Sequence, residues 1–417
     1  MAANNFLTDD IIANSSIMCL VNNLCVAPLV DRQYEKSFNA VGDTIRIRKQ
    51  QRAKIRDGIQ LQKSDKVDLN TSLTLDTHKQ HSFQIGATDR TLSISEFESR
   101  YLNTPMAGMA NAVDFALLLR SKAAYHSTHT PGSTPGAYID WATASAKCTD
   151  LAWPNDLQRR AIINPITKAT LGNEVKSLFN EQLVKDTYVN GYSGDVDTFS
   201  MHVSQNLRKH LTGAWNGTTL VTATAIVANS DGTSSIEIDG CGSNVANFAR
   251  AGDVLTFGGC YSVNPQNYQT TGYLQDCVVM EAATSAAGVV TVKVMPQLND
   301  GTLTMTNANG QTVSLEEYQN VTALPANNAP VNFMGSPSTT YREDFIFHKD
   351  ALVLAMRDLY IPDQLKSVTK SYKGVSMSYT RGGSIDDLSE THRLDMLLGT
   401  KLVIPDLAMR AWGDDVA

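Results

Sequence analysis

TIRIRKQQRAKIRDGIQLQKSDKVDLNTSLTL, residues 44–75, is the stretch on which the fold turns. Ile45 and Ile47 alternate with basic residues on the way out, and Leu73 and Leu75 alternate with Ser72 and Thr74 on the return. A period of two predicts extended segments, here within a two-stranded excursion over residues 41–94. From Arg46 to Asp68 the chain carries eight Lys/Arg against three Asp, a net of +5. A hairpin of this length is marginal in water on its own. It therefore needs a surface to lie on, in its own chain or in another. The bland alternative is a solvated loop, the usual fate of a charge run.

Upstream, IIANSSIMCLVNNLCVAPLV (residues 11–30) follows Asp9 and Asp10 and is interrupted by Asn. Neither a secretory signal nor a membrane span reads that way. Ile11, Met18, Val21 and Cys25 fall at helical spacing, which predicts an amphipathic arm helix buried by that face.

Downstream, residues 95–128 read as a long helix. Ser95 and Glu98 fit a capping box, and Met109, Val113, Leu117, Arg120 and Ala124 share one face. Pro105 and Gly108 are its weak points. RRAII (159–163) predicts a short buried strand before a turn at Asn164–Pro165, and Leu171–Val184 a second helix. From Ala214 to Pro325 the composition shifts to Thr, Gly, Ala and Val, with short strand-like runs such as SIEIDG, DVLTFGG and VVTVKVM. Their spacing predicts a small all-β barrel or sandwich. This segment holds nine Asp/Glu against two Lys/Arg, so it carries the whole net charge of -7. Such acids are expected to stay solvated on a surface module. YREDFIFHKDALVLAMRDL (341–359) then reads as a strand running into a helix, and the C-terminal part as a strand, an acidic loop and two apolar strands.

The composition excludes several functions. Overall acidity argues against direct reading of nucleic acid. Six cysteines without a C-x-x-C pair leave a structural zinc site unsupported and read as reduced, mostly buried thiols. No GxxxxGK[ST], GxSxG or HExxH motif occurs. His126 and His129, three apart, could share a metal on a helix, but they sit at an expected helix end before Pro131 and read better as ordinary residues. His348 reads as a packed histidine. Asp386–Asp387, Asp414–Asp415 and Glu316–Glu317 read as solvated acids. Catalytic, cofactor-binding and metal residues are accordingly expected to be none.

Three stretches carry a family resemblance: ARAGDVLTFGGCYSVNPQNYQTTGYLQDCVV (249–279), NFMGSPSTTYREDFIFHKDALVLAMRDL (332–359) and SETHRLDMLLGTKLVIPDLAMR (389–410). Together with the order arm, hairpin, long helix, β-segment and closing strands, they resemble the P22-like coat proteins of tailed phages. That resemblance implies an α+β, HK97-type capsid fold. Its parts would be an N-terminal arm (1–40), an E-loop hairpin (41–94), a spine helix with peripheral and axial core (95–213), an inserted β-barrel (214–325) and the rest of the core (326–417).

It also implies a shell of hexamers and pentamers enclosing double-stranded DNA in the virion, assembled in the bacterial cytoplasm. Scaffolding, portal and decoration proteins are the implied partners, with no membrane, no sequence-specific DNA binding and no isopeptide crosslink. The expected subunit contacts are Arg46, Arg48, Lys49, Arg52, Lys54, Arg56, Lys63 and Lys66, docking on a neighbouring copy. A tail or adaptor component is the nearer alternative. A secreted β-rich hydrolase or carbohydrate-binding protein is the remoter one, with aromatics at 7% and no signal segment against it.

Overall fold

The computed structural model describes residues 9–34, 44–61, 66–67, 69–86, 102–175, 194–223, 226–306, 312–360, 366–384 and 389–416. They fall into two compact units.

The first unit comprises residues up to Ile47, Thr71–Leu119 and Leu352–Val403. Its sheet is antiparallel. The long strand Ser389–Leu402 carries Thr77–Gly86 along one edge, and its other edge is shared by Val375–Ser384 and Leu352–Arg357. Lys366–Tyr372 completes the sheet beside Val375–Ser384. The segment LVLAMR, expected as helix, is thus a strand. Five consecutive buried residues suit a strand covered on both faces as well as a buried helix, and periodicity cannot separate the two. The Thr77–Gly86 segment leaves the predicted excursion and joins this sheet, while Thr44–Arg48 and Asn70–Thr74 pair as a hairpin base.

Helix α1 spans Asp9–Asn23. Its buried residues are Ile12, Ala13, Ser16, Ile17 and Leu20, whereas Ile11 and Met18 are exposed. The helix is as expected but its buried face is not. Apolar residues occur on both sides, and the 12/16/20 row fits helical spacing as well as the predicted one. Helix α2 spans Asn103–Leu118 and continues as a 3-10 turn to Ala123; Met109, Val113 and Leu117 are buried as expected. The Ser95–Glu98 box lies outside the described residues. Pro105 sits in the first turn of α2, where a missing N–H costs nothing. On α2 the buried carboxylate of Asp114 accepts backbone N–H bonds from Cys25 (2.8 Å), Val26 (3.1 Å) and Ala27 (3.1 Å). It fixes the chain just after α1.

The second unit comprises Arg48–Asn70, Arg120–Ala351 and Ile404–Ala417. A mixed sheet runs in the order His126–Thr128, Ala408–Asp415, Thr340–His348, Arg159–Ile163, Phe199–Val203, Asp195–Val196, with Lys209–Leu211 beside the start of Thr340–His348. Helix α3 (Tyr138–Asp150) buries Trp141 and Cys148 in a core that includes Trp153, Phe199, Ile346 and Met409. Helix α4 spans Pro165–Val175, so the predicted second helix begins earlier than expected, and residues 176–193 lie outside the described set. His126 is on a buried strand and not at a helix end. Burial, then the charge of Lys147, push its ring down to about 4. Among the described residues no group of three metal-ligating side chains converges.

The chain leaves the mixed sheet after Leu211 and returns at Thr340. Between them lies a seven-stranded antiparallel sheet. Its order is Val227–Ala228, Ser234–Cys241, Val290–Met295, Thr270–Val279, Val254–Val263, Val331–Phe333, and Gly217–Thr222 pairs with the far end of Ser234–Cys241. Ile236, Phe248, Phe257, Cys260, Cys277 and Val292 are in its core. Strand Val331–Phe333 lies beyond the predicted boundary at residue 325 and pairs with Leu255–Phe257. Just before it, Asn328 N–H donates to Thr222 O (2.9 Å), Thr222 N–H to Ala329 O (3.0 Å) and Gly258 N–H to Pro330 O (2.8 Å). A side chain at Gly258 would meet the Pro330 ring at 2.5 Å, so this approach requires glycine. Cys148, Cys241, Cys260 and Cys277 are buried free thiols, and Cys19 and Cys25 are half-buried. Burial pushes the thiols of Cys148 and Cys260 up to about 12, which keeps them inert at neutral pH.

Candidate functional site

The basic loop lies within the second unit and is two-sided. From Gln51 to Asp57 exposure alternates: Arg52, Lys54 and Arg56 are half-buried, while Gln51, Ala53, Ile55 and Asp57 are exposed. An extended backbone sends successive side chains to opposite sides, so the cations share one side and Ile55 points away.

The cation side meets acids of the same chain. Lys54 Nζ and Arg56 Nη2 lie 2.8 Å from the two carboxylate oxygens of Glu316. Lys66 Nζ lies 3.0 Å from Glu317, and Arg52 Nη2 lies 2.6 Å from Asp406. The hydroxyl of Tyr125 also donates to Asp406. Two rings complete the seat. Arg52 lies 5.9 Å from the Tyr318 centroid and Lys54 5.2 Å from that of Tyr268. Beneath the charges Val67 packs with Val313 and Leu315.

The Lys54 hydrogen bond, then the charges of Lys54 and Arg56, hold the Glu316 carboxyl below its usual range. Burial alone would raise Asp406, but Arg52, the Tyr125 hydroxyl, His126 and Lys49 together keep it low. Each half-exposed pair contributes only about 0–1 kcal/mol. Four pairs in one register set the position of the loop more than they add stability.

The structure thus gathers Arg52, Lys54, Arg56 and Lys66 at one seat. Arg46, Arg48 and Lys49 are exposed at the hairpin base, and Lys63 lies outside the described residues. The other half of the seat is not apparent from the sequence, where Glu316–Glu317 reads as a pair of solvated acids. Glu317 is only 5% exposed. The signal was present, since a +5 loop and a -7 segment in one chain are complementary. Ile55, on the loop's other side, is 85% exposed, and Ile59 and Leu61, past the bend at Gly58, are 106% and 83% exposed.

The expectation that the acids of residues 214–325 stay solvated is overturned at further positions. Asp276 is buried, and its carboxylate accepts from Lys147 Nζ (2.8 Å) and Ser127 N–H (3.0 Å). Asp253 is 1% exposed and lies 2.7 Å from His210 Nε2. The physical reason is the same each time: the segment's acids are matched by cations or donors just outside it. His348 is a packed histidine as expected, 1% exposed with Nε2 3.0 Å from Asp156. Among the described residues no helix is long and apolar enough to cross a membrane.

No curated protein matches the chain in sequence. Among solved structures it is similar to that of Mycobacterium phage Che8 at 13% identity, covering 93% of this chain and 90% of that one, with a TM-score of 0.46. It is also similar to the capsid of Ralstonia phage GP4 at 8% identity, covering 93% and 88%, with a TM-score of 0.42. A third similarity, to the CUS-3 coat protein I-domain, has 20% identity and a TM-score of 0.19, covering 28% of this chain and 96% of that one. The family described as "P22 coat protein - gene protein 5" matches residues 1–410. With nearly the whole length matched, the chain belongs to the P22 coat protein family, the major capsid proteins of tailed phages.

Proposed function

We propose that this capsid protein builds its shell through the outward side of the basic loop, against a neighbouring copy. The carrying observation is the loop's two-sidedness. Its cations are already seated on Glu316, Glu317 and Asp406 of the same chain, while Ile55 on the opposite side and Ile59 and Leu61 just beyond it are exposed. Exposed apolar side chains grouped on one short loop are what an assembly contact requires. The seat holds the loop before the neighbour arrives, so less ordering entropy opposes the contact.

In this reading the fold is HK97-type. The sheet between Gly217 and Phe333 is an inserted barrel, a reading supported by the hydrogen bonds that link Thr222, Ala329, Pro330 and Gly258. The subunits form hexamers and pentamers around DNA, with scaffolding and portal proteins as partners in the host cytoplasm and a decoration protein on the shell. The chain performs no catalysis.

The experiment is the double substitution Ile55→Asp with Ile59→Asp. The variant should fold with an unchanged melt and remain as unassembled subunits. Normal assembly of this variant would remove the loop from the contact.

A further inference from the structure

The second unit carries an open groove of about 680 Å³ where α3 and α4 begin. Ala137, Pro165, Ile166 and Ala169 give it apolar walls, and the charged residues that line it, Asp140 and Glu174, are both acids. The groove is built before anything enters it. Trp141 Nε1 donates to Pro135 O (3.2 Å), and the Asp140 carboxylate accepts the Ala137 N–H (3.0 Å). A side chain at Gly136 would come within 2.8 Å of Thr170 Cβ, so glycine lets this loop lie close against α4. Tyr138, Ile139 and Ile166 are exposed at the same place.

Leu157 stands at the other end of these elements. It lies in the turn between α3 and the strand Arg159–Ile163, is 79% exposed and has φ 62°. The left-handed region is costly for leucine, because it crowds the Cβ against the carbonyl that follows. The turn is nonetheless held at several points. Asp156 Oδ1 lies 3.0 Å from His348 Nε2 and accepts the Gln158 N–H at 3.2 Å. Gln158 O accepts the Lys349 N–H at 3.2 Å. The buried guanidinium of Arg159 donates to Trp153 O (2.9 Å) and Pro154 O (3.0 Å). The chain thus holds an apolar side chain out into solvent on a fixed turn, in a conformation that local preference opposes. Such strain is kept where it serves a contact or a site.

Leu157 does not fill the groove of its own chain. The 13 residues of α3 run from the groove to the turn, a span of about 20 Å. The strand Arg159–Ile163 then leads back from the turn to Pro165. A knob at one end of a subunit and a recess at the other meet when copies join head to tail. That is a heterologous contact, and it closes into rings when the rotation between copies allows. Charge agrees with this direction. Arg160 follows the turn, with Nη1 3.4 Å from Leu157 O, while Asp156 is committed to His348. Seating the turn brings a cation to a groove whose charged residues are acids.

We infer that the Leu157 turn of one copy seats in the α3–α4 groove of the next copy around each ring of the shell. The inference rests on the shell-forming role proposed above and names a second surface for it, separate from the basic loop.

The test is a cysteine pair, Leu157→Cys with Ala169→Cys, in the full-length chain with its natural basic loop. Both positions are exposed. Cys148, Cys241, Cys260 and Cys277 are buried, and each single variant controls for Cys19 and Cys25. Oxidised particles of the double variant should give a ladder up to pentamers and hexamers on a non-reducing denaturing gel, and neither single variant should. Particles that form without the cross-link, or a dimer band alone, would overturn the inference and leave the basic-loop contact standing. Leu157→Gly is the second arm. Glycine accepts the left-handed conformation freely, so the unassembled chain should melt no lower than the natural one. Its assembly should nevertheless slow roughly tenfold or more, because the buried side chain is gone. Assembly of this variant at the natural rate would also overturn the inference.

Discussion

Glu343 and Asp344 are consecutive residues of one central strand, and their buried carboxylates lie on opposite faces of the mixed sheet with opposite electrostatic outcomes. Burial would raise both. On one face Arg208 and Arg410 overcome it and bring Glu343 down to about 2. On the other, Asp344 has only the Thr167 hydroxyl (2.8 Å) and the Asn164 N–H (2.7 Å), so burial dominates and carries it up to about 7.

The two residues give opposite pH slopes. Glu343 contributes stability that is full above its unfolded value of 4.5 and is lost as pH falls toward 2. Asp344 keeps its proton in the fold, so stability falls as pH rises from 3.8 toward 7. Replacing Asp344 by Asn should flatten the melting profile between pH 4 and 7. It should also stabilise the protein at pH 8, by about 2–4 kcal/mol if the neighbouring hydrogen bonds persist. An unchanged slope in thermal melts across that window would refute the assignment.

The seat of the basic loop can be tested apart from the rest of the fold. Changing Glu316 to Lys places a cation against Lys54 and Arg56. Trypsin should then cut between Arg48 and Lys66 much faster, while the global melt shifts by no more than about 1 kcal/mol. Reversing Arg52, Lys54 and Arg56 to Glu should likewise leave a folded chain that fails to assemble. Unchanged cleavage in the first variant would mean that these ion pairs do not hold the loop.

Asp114 is the single acceptor for three successive backbone N–H groups. Burial raises its carboxyl despite those bonds. Asp114→Ala leaves the three donors buried without it and should cost about 2–4 kcal/mol in denaturant unfolding. Asp114→Asn keeps one acceptor oxygen and should cost less. Equal losses in the two variants would show that the hydrogen bonds are not the source.

Strand Val331–Phe333 makes a prediction about the segment between Leu211 and Thr340. Residues 214–333 expressed alone should melt cooperatively, whereas residues 214–325 lack the partner of Leu255–Phe257 and should be clearly less stable. Two segments of equal stability would contradict the pairing's importance.

Much of this was legible in the residues. RRAII, SIEIDG, DVLTFGG and VVTVKVM announced strands through alternation and β-branched content, and each is one. The face of α2 was readable because Met109, Val113 and Leu117 recur every four residues, the spacing of one helix face. The face of α1 was not, since Ile11 and Ile12 offer two equally spaced rows. LVLAMR was misread because its burial on both sides erases the period that distinguishes strand from helix. The seat for the basic loop was half legible: the cations declare themselves by number. Glu316 and Glu317 become partners only through a contact spanning some 250 residues of chain, which no local pattern records.

The most direct test of the central claim is electron microscopy of the purified protein under assembly conditions, beside Ile55→Asp with Ile59→Asp. The natural protein should form closed shells, and the variant should sediment as folded, unassembled subunits. Shells of normal yield and form from the variant, or tubes and unassembled chains from the natural protein, would contradict it.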